Sequence, residues 1–204
     1  MLQIKINGES SQLNGTGLPT LADVVELIKG SIDPAHIITN LQINGRDLTE
    51  SDWNSSPSRL ETEILEVETC TPEQFVDERM EIAASLVENT YILFRSARQA
   101  FQAGDMEEGN RCLMAAVNDL KAFFEWYNAL LQIMPESERS SYTISQHIDE
   151  ISEICKEICQ QQVYQSWWAL GNSIRDKLEP ALDKLECFLR KLWAQRKGAE
   201  ASPQ

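Results

Sequence analysis

The side chains best placed for chemistry are two thiols and an imidazole. Cys155 and Cys159 stand one helical turn apart, and His147 precedes Cys155 by two turns. Such a face could hold a metal. However, Cys155 falls in phase with Ile144, Ile148, Ile151 and Ile158, where a thiol packs as a small hydrophobe. No second cysteine pair supplies the rest of a zinc site, so the expectation is packing and no metal. The five cysteines (Cys70, Cys112, Cys155, Cys159 and Cys187) are odd in number and lack framework spacing, which points to reduced thiols. The second histidine, His36, follows Asp33-Pro34-Ala35 and is expected to be solvated in a loop. No Ser-His-Asp or Cys-His grouping is suggested, and no Gly-rich phosphate cradle ends in Lys-Ser/Thr. The acidic pairs Glu107-Glu108 and Asp149-Glu150 fall near helix starts, where the helix dipole favours them. The sequence therefore predicts no catalytic residue, no cofactor and no metal ligand.

The remaining functional signal is aromatic. Phe123-Phe124-Glu125-Trp126-Tyr127 and Trp167-Trp168 each wrap more than one face of a helix, so one residue of each cluster points off the main apolar stripe. Trp126 and Trp168 are either a second layer of core or an exposed contact surface. Large rigid aromatics dominate interface energies, which makes Trp126, Trp167, Trp168, Phe123 and Tyr127 the candidate partner-binding residues.

The elements that must position them change character near residue 70. Over residues 1–70, Ile4 and Ile6 alternate with polar neighbours and Asn7-Gly8 marks a turn; Ser11–Leu13 reads as a short second strand. Thr20 caps a helix carrying Leu21, Val24, Val25 and Ile28 on one face and ending at Gly30. Residues 38–43 and 60–67 read as further strands. Thr71-Pro72-Glu73-Gln74 then opens a helix with a capping threonine, proline at its first position and glutamine three residues past the cap.

Four apolar stripes of helical period follow. The first is Val76, Met80, Ala83, Val87, Tyr91, Phe94 and Phe101, stopped by Gly104. Asp105 caps the second, Leu113, Val117, Leu120, Phe124, Tyr127, Leu131 and Met134. Residues 136–142 read as a polar linker, with Thr143 and Gln146 as a capping box for the third stripe. The fourth runs Trp167, Leu170, Ile174, Leu178, Leu182, Leu185, Leu189 and Leu192, and Pro180 inside it should kink or break the helix. The expected organisation is α+β: a small domain over 1–70, an antiparallel bundle of about four helices over 71–195, and a disordered tail over 196–204.

The order hairpin, helix, strand, final strand, over Met1–Asn7, Thr20–Lys29, Ile38–Asn44 and Ile64–Glu68, resembles the β-grasp fold of ubiquitin and the small sulfur carriers. Those proteins act through a terminal Gly-Gly tail. Here Glu68-Thr69-Cys70 leads straight into the capped helix, so the resemblance implies a binding or packing module and not carrier chemistry. The stretch Ala97–Asn110, a helix, a Gly104-Asp105 turn and a second helix start, resembles flagellin-export chaperones, cytoplasmic helical bundles that hold partner helices in apolar grooves.

Charge narrows the partners. The chain carries 32 acidic and 18 basic residues, net −14, spread over both parts. That field disfavours nucleic acid and anionic membranes and steers in basic groups. The N-terminus lacks the pattern of a signal peptide, so a cytoplasmic location is expected. The function expected is that of a non-enzymatic adaptor or chaperone-like protein, binding another protein through a basic or amphipathic helical segment. A small-ligand or enzymatic pocket between the two modules, and a structural homo-oligomer built through the helical stripes, are the alternatives.

Overall fold

A computed structural model describes residues 2–60 and 62–200, with side chains to residue 198. The fold is α+β, an N-terminal five-stranded sheet followed by helices. The chain divides into two compact units, residues 1–75 and 76–204.

In the first unit the sheet order is β2-β1-β5-β3-β4, where β1 is Gln3–Ile6, β2 Glu9–Ser10, β3 Ile37–Ile43, β4 Arg46–Asp47 and β5 Ile64–Cys70. β1 pairs parallel to the central β5, and the other pairings are antiparallel. Both hairpins turn on Asn-Gly pairs with positive φ, 50° and 82° at Asn7-Gly8 and 50° and 75° at Asn44-Gly45. This primed geometry matches the twist of the strands it joins. The second strand is Glu9–Ser10, not Ser11–Leu13, because this two-residue turn sets the register directly.

Helix α1, Leu21–Lys29, is closed at its start by a reciprocal capping box between Thr20 and Asp23. It buries Leu21, Val24 and Ile28 against Ile4, Ile43, Leu65 and Val67. A short helix α2, Glu50–Trp53, was too brief to leave a periodic signal. Its Asp52 accepts both Arg46 guanidinium nitrogens at 2.7 and 3.0 Å. His36 is half-buried and its Nδ1 lies 3.4 Å from Thr69 Oγ1, which corrects the solvated-loop expectation.

The second unit is helical. Helix α3, Pro72–Ala103, opens on the expected capping box, with Thr71 N–H donating to Gln74 Oε1 and Gln74 N–H to Thr71 Oγ1. Gly104 leaves it at φ +83°, and Asp105 caps α4, Met106–Ile133. The segment read as a linker coils into α5, Glu136–Arg139, and a 3-10 turn. Helix α6 spans Ser145–Val163; the Thr143 hydroxyl accepts from Ser145 N–H, so the predicted box with Gln146 does not form. Helix α7, Trp167–Ser173, continues into α8, Glu179–Glu200.

Pro180 does not break this last run. In a regular α-helix its ring would press on the carbonyl of residue 176 and offer it no N–H. Residues Ile174–Leu178 instead widen into a π-helical turn, and Glu179 N–H reaches back to Ile174 O. α8 also continues through Glu200, so residues 196–200 of the expected tail are helical, while 201–204 lie outside the described residues.

The stripe on α4 is shifted. Ala116, Phe123 and Leu130 are buried in place of Val117, Phe124 and Leu131, while Leu113, Leu120, Tyr127 and Met134 hold their places. α3 and the α7–α8 run bury the expected residues, except that Tyr91 and Trp167 are half-buried. No helix among the described residues is long and apolar enough to cross a membrane.

Candidate functional site

Helix α4 is flanked on both sides of its buried stripe by apolar grooves. Along one flank Asp119, Ala122, Phe123 and Trp126 of α4 face Ile82, Leu86, Asn89 and Thr90 of α3, around a groove of about 400 Å³. Ile82 and Leu86 are 41% and 37% exposed, and neither belongs to the α3 core stripe. They are missing from the sequence prediction, yet they carry a signal: spaced four apart and out of phase with Met80, Ala83 and Val87, they form a second apolar edge. Phe123 is buried at the groove base, and the half-buried Trp126 packs on it with ring centres 5.9 Å apart. The groove thus combines an aromatic floor with an aliphatic wall, a surface suited to apolar side chains of a helix.

Along the other flank Leu113, Met114, Val117 and Asn118 of α4 face Cys155, Ile158, Cys159 and Gln162 of α6 over Phe94, around a cavity of about 220 Å³. Here the two thiols of the candidate metal face lie in an apolar wall. Burial, with a smaller contribution from Cys159, pushes the Cys155 thiol up to about 11. A thiol so raised stays protonated at neutral pH, which makes it a poor nucleophile. His147 is elsewhere, its ring 5.1 Å from that of Phe188. Among the described residues no group of three or more His, Cys, Asp or Glu is placed to hold a metal ion.

The structure separates the five predicted binding residues. Phe123 and Trp126 share the α3–α4 groove. Tyr127 is 1% exposed and donates its hydroxyl to the Tyr142 carbonyl at 2.8 Å; burial raises its phenol above the usual range. Tyr127 is therefore core, not surface. Trp167 stacks on Phe101, with ring centres 5.3 Å apart and planes 14° apart, as a half-buried second layer. Trp168, its neighbour, is 81% exposed. Trp126 and Trp168 sit on different elements, α4 and the start of α7, and Trp168 lines neither of the two grooves described above.

Polar groups inside the unit serve to join helices. Arg98 of α3 and Glu179 of α8 pair at 2.8 Å with side chains 13% and 11% exposed, and the Tyr91 hydroxyl approaches the same carboxylate at 3.5 Å. Arg196 joins α8 to Asp77 of α3 and to Glu138, and its guanidinium lies over the Tyr142 ring. Glu157 accepts from Lys177 and Ser173 across the α6 and α7–α8 contact. Comparisons with models of protein families, with curated proteins and with solved structures find no match for the chain.

Proposed function

We propose that the protein is a non-enzymatic, chaperone-like adaptor whose helical unit takes an amphipathic partner helix into the α3–α4 groove. The observation that carries this reading is the exposed pair Ile82 and Leu86 facing Trp126 across a groove of about 400 Å³. Asp119 lines the groove, and the exposed Glu81 and Glu125 stand on the same two helices. With a net charge of −14, this favours a partner helix carrying basic residues beside its apolar face.

The finer fold reading belongs with this function. The first unit is a β-grasp-like module, an interpretation supported by the order β2-β1-β5-β3-β4 with β1 parallel to β5. β5 passes directly into α3, which leaves no Gly-Gly tail there for carrier chemistry. α3, α4, α6 and the α7–α8 run support a four-membered bundle.

A photo-crosslinking amino acid placed at position 86 or 126 tests the function in cells. Both positions should give the same protein adduct, while position 114, across α4, gives none. A peptide spanning the adduct should bind the purified chain, and Leu86→Glu and Trp126→Ala should each weaken it at least tenfold, a loss in the range of interface anchor residues. Affinity should also fall as salt rises. Equal adducts at 86 and 114, or a peptide indifferent to both substitutions, refutes the proposal.

A further inference from the structure

The first unit leaves one strand partly unpaired. β3 runs for seven residues, but β4 pairs only with its last two, Gln42 and Ile43. Residues 37–41 therefore pair on one side alone, with β5, and among the described residues no turn or loop backbone group bonds to their other side. Successive residues of a strand aim their N–H and C=O groups to opposite sides, so this stretch carries a row of open donors and acceptors. Such a row is matched by another extended backbone.

Beside the open edge lies an apolar groove of about 300 Å³ between β3 and α1, lined by Ile38 and Leu41, by Ala22, Val25 and Glu26, and by Trp53 of α2. A bulge makes its β3 wall. Ile38 and Leu41 stand three apart, which in a regular strand sets them on opposite faces. The register skips Thr39, whose hydroxyl donates to the Glu68 carbonyl at 3.2 Å, and both side chains then pack against the core under α1. The opposite face of the sheet is acidic. Glu66 and Glu68 alternate with the buried Leu65 and Val67 and sit beside Gln42 and Asn40 of β3, with Asp47 beyond Gln42. Lys5 of β1 is the basic side chain of that face, on the far side of β5.

We propose that β3 takes up, as an added strand, an extended segment of another protein in which apolar side chains alternate with lysine or arginine. The open edge selects an extended backbone, the groove takes the apolar side chains, and the row of Asp47, Glu66 and Glu68 attracts the basic ones on the other face. An added strand lies about 10 Å from β5, two strand spacings, which is within the screening length at low salt. A second copy of this chain is a poor occupant. Its β3 carries no basic residue, and pairing edge to edge would bring the same carboxylates together. The site shares no residue with the α3–α4 groove, so either can fail without the other.

Amide hydrogen exchange of the full chain, read by NMR with a capped seven-residue peptide of alternating lysine and valine as the probe, tests the proposal. At low salt the peptide should slow exchange of the outward amides in residues 37–41 at least tenfold, with half-saturation below about 1 mM. Sodium chloride should weaken the effect. Three changes should each weaken binding at least tenfold: glutamate in place of every lysine, the same side chains on an N-methylated backbone, and Ala22→Arg at an exposed position of the groove wall, with melting of the chain unchanged. Exchange unaltered at about 1 mM peptide, equal protection by the glutamate or N-methylated peptide, or protection indifferent to Ala22→Arg overturns it. So does the same protection produced by concentrating the chain alone, which would assign the edge to a second copy.

Discussion

Gly109 offers a quantitative test of how closely α3 and α4 must pack. A Cβ added there would lie 2.6 Å from Phe101 Cδ1 and Cε1 and 3.0 Å from Cγ. Normal contact begins near 3.4 Å, so the ring must retreat by about 0.8 Å, on the overpacking argument. It has little room to do so, being 4% exposed and stacked on Trp167. Two other helical glycines supply the control. A Cβ at Gly171 meets only Arg98 Cγ at 3.8 Å and Gln102 Cγ at 3.9 Å, and one at Gly198 meets nothing within 4 Å. Gly→Ala in a helix ordinarily gains up to about 1 kcal/mol, and overpacking a core costs about 1–3 kcal/mol. The propensity gain is common to Gly109→Ala and Gly171→Ala, so their difference isolates the clash. Gly171→Ala should raise stability by up to about 1 kcal/mol and Gly198→Ala by less near the helix end, while Gly109→Ala falls about 1–3 kcal/mol below Gly171→Ala. At about 2–4 °C per kcal/mol for a chain of this size, melting temperatures should differ by roughly 2–12 °C. Thermal and urea unfolding followed by far-UV circular dichroism reads this directly. Equal shifts for Gly109→Ala and Gly171→Ala would refute the close approach at Phe101.

Three further outcomes follow from the same contacts. Glu179→Gln strands the Arg98 cation in a largely buried site and should cost about 2–4 kcal/mol, whereas the double replacement Arg98→Met with Glu179→Gln should recover most of it; urea titration checks both. Because burial lifts the Cys155 thiol to about 11, its alkylation rate should rise about tenfold per pH unit from pH 8 to 10 without levelling; site-resolved mass spectrometry that shows a plateau near pH 9 would contradict this. The Arg46 guanidinium, with Thr49, holds the Asp52 carboxyl well below its ordinary value of 3.8. Its contribution is thus complete above pH about 4 and is lost as pH falls through the lower folded value, so melting curves of the parent and Asp52→Asn should converge on acidification below pH 4.

What the sequence disclosed depends on whether the bulkiest apolar residues of a helix are the buried ones. In the α7–α8 run they are, and Leu170 to Leu192 are buried as periodicity predicts. α4 lies between α3 and α6, so apolar residues occur on both flanks of its core. A stripe drawn through the bulkiest side chains then slips by one residue, taking Val117 for Ala116 and Phe124 for Phe123. Val117, displaced from the core, lines the Cys155 cavity, and Phe123 floors the opposite groove. The error and the grooves have one physical origin: α4 is more apolar than a single core face requires. The same reasoning divides the aromatic clusters. Tyr127 is internal because its hydroxyl finds the Tyr142 carbonyl, whereas Trp168 has no ring neighbour among the contacts described and stays at the surface. Composition could not separate them, because that outcome depends on a carbonyl fifteen residues downstream and on a left-handed turn at Gln165. Surplus apolar faces on α4 and at the α6–α7 turn are costly to leave in water. The α3–α4 groove carries Asp119 in its lining, so a basic helix seated there should bind more weakly as salt rises.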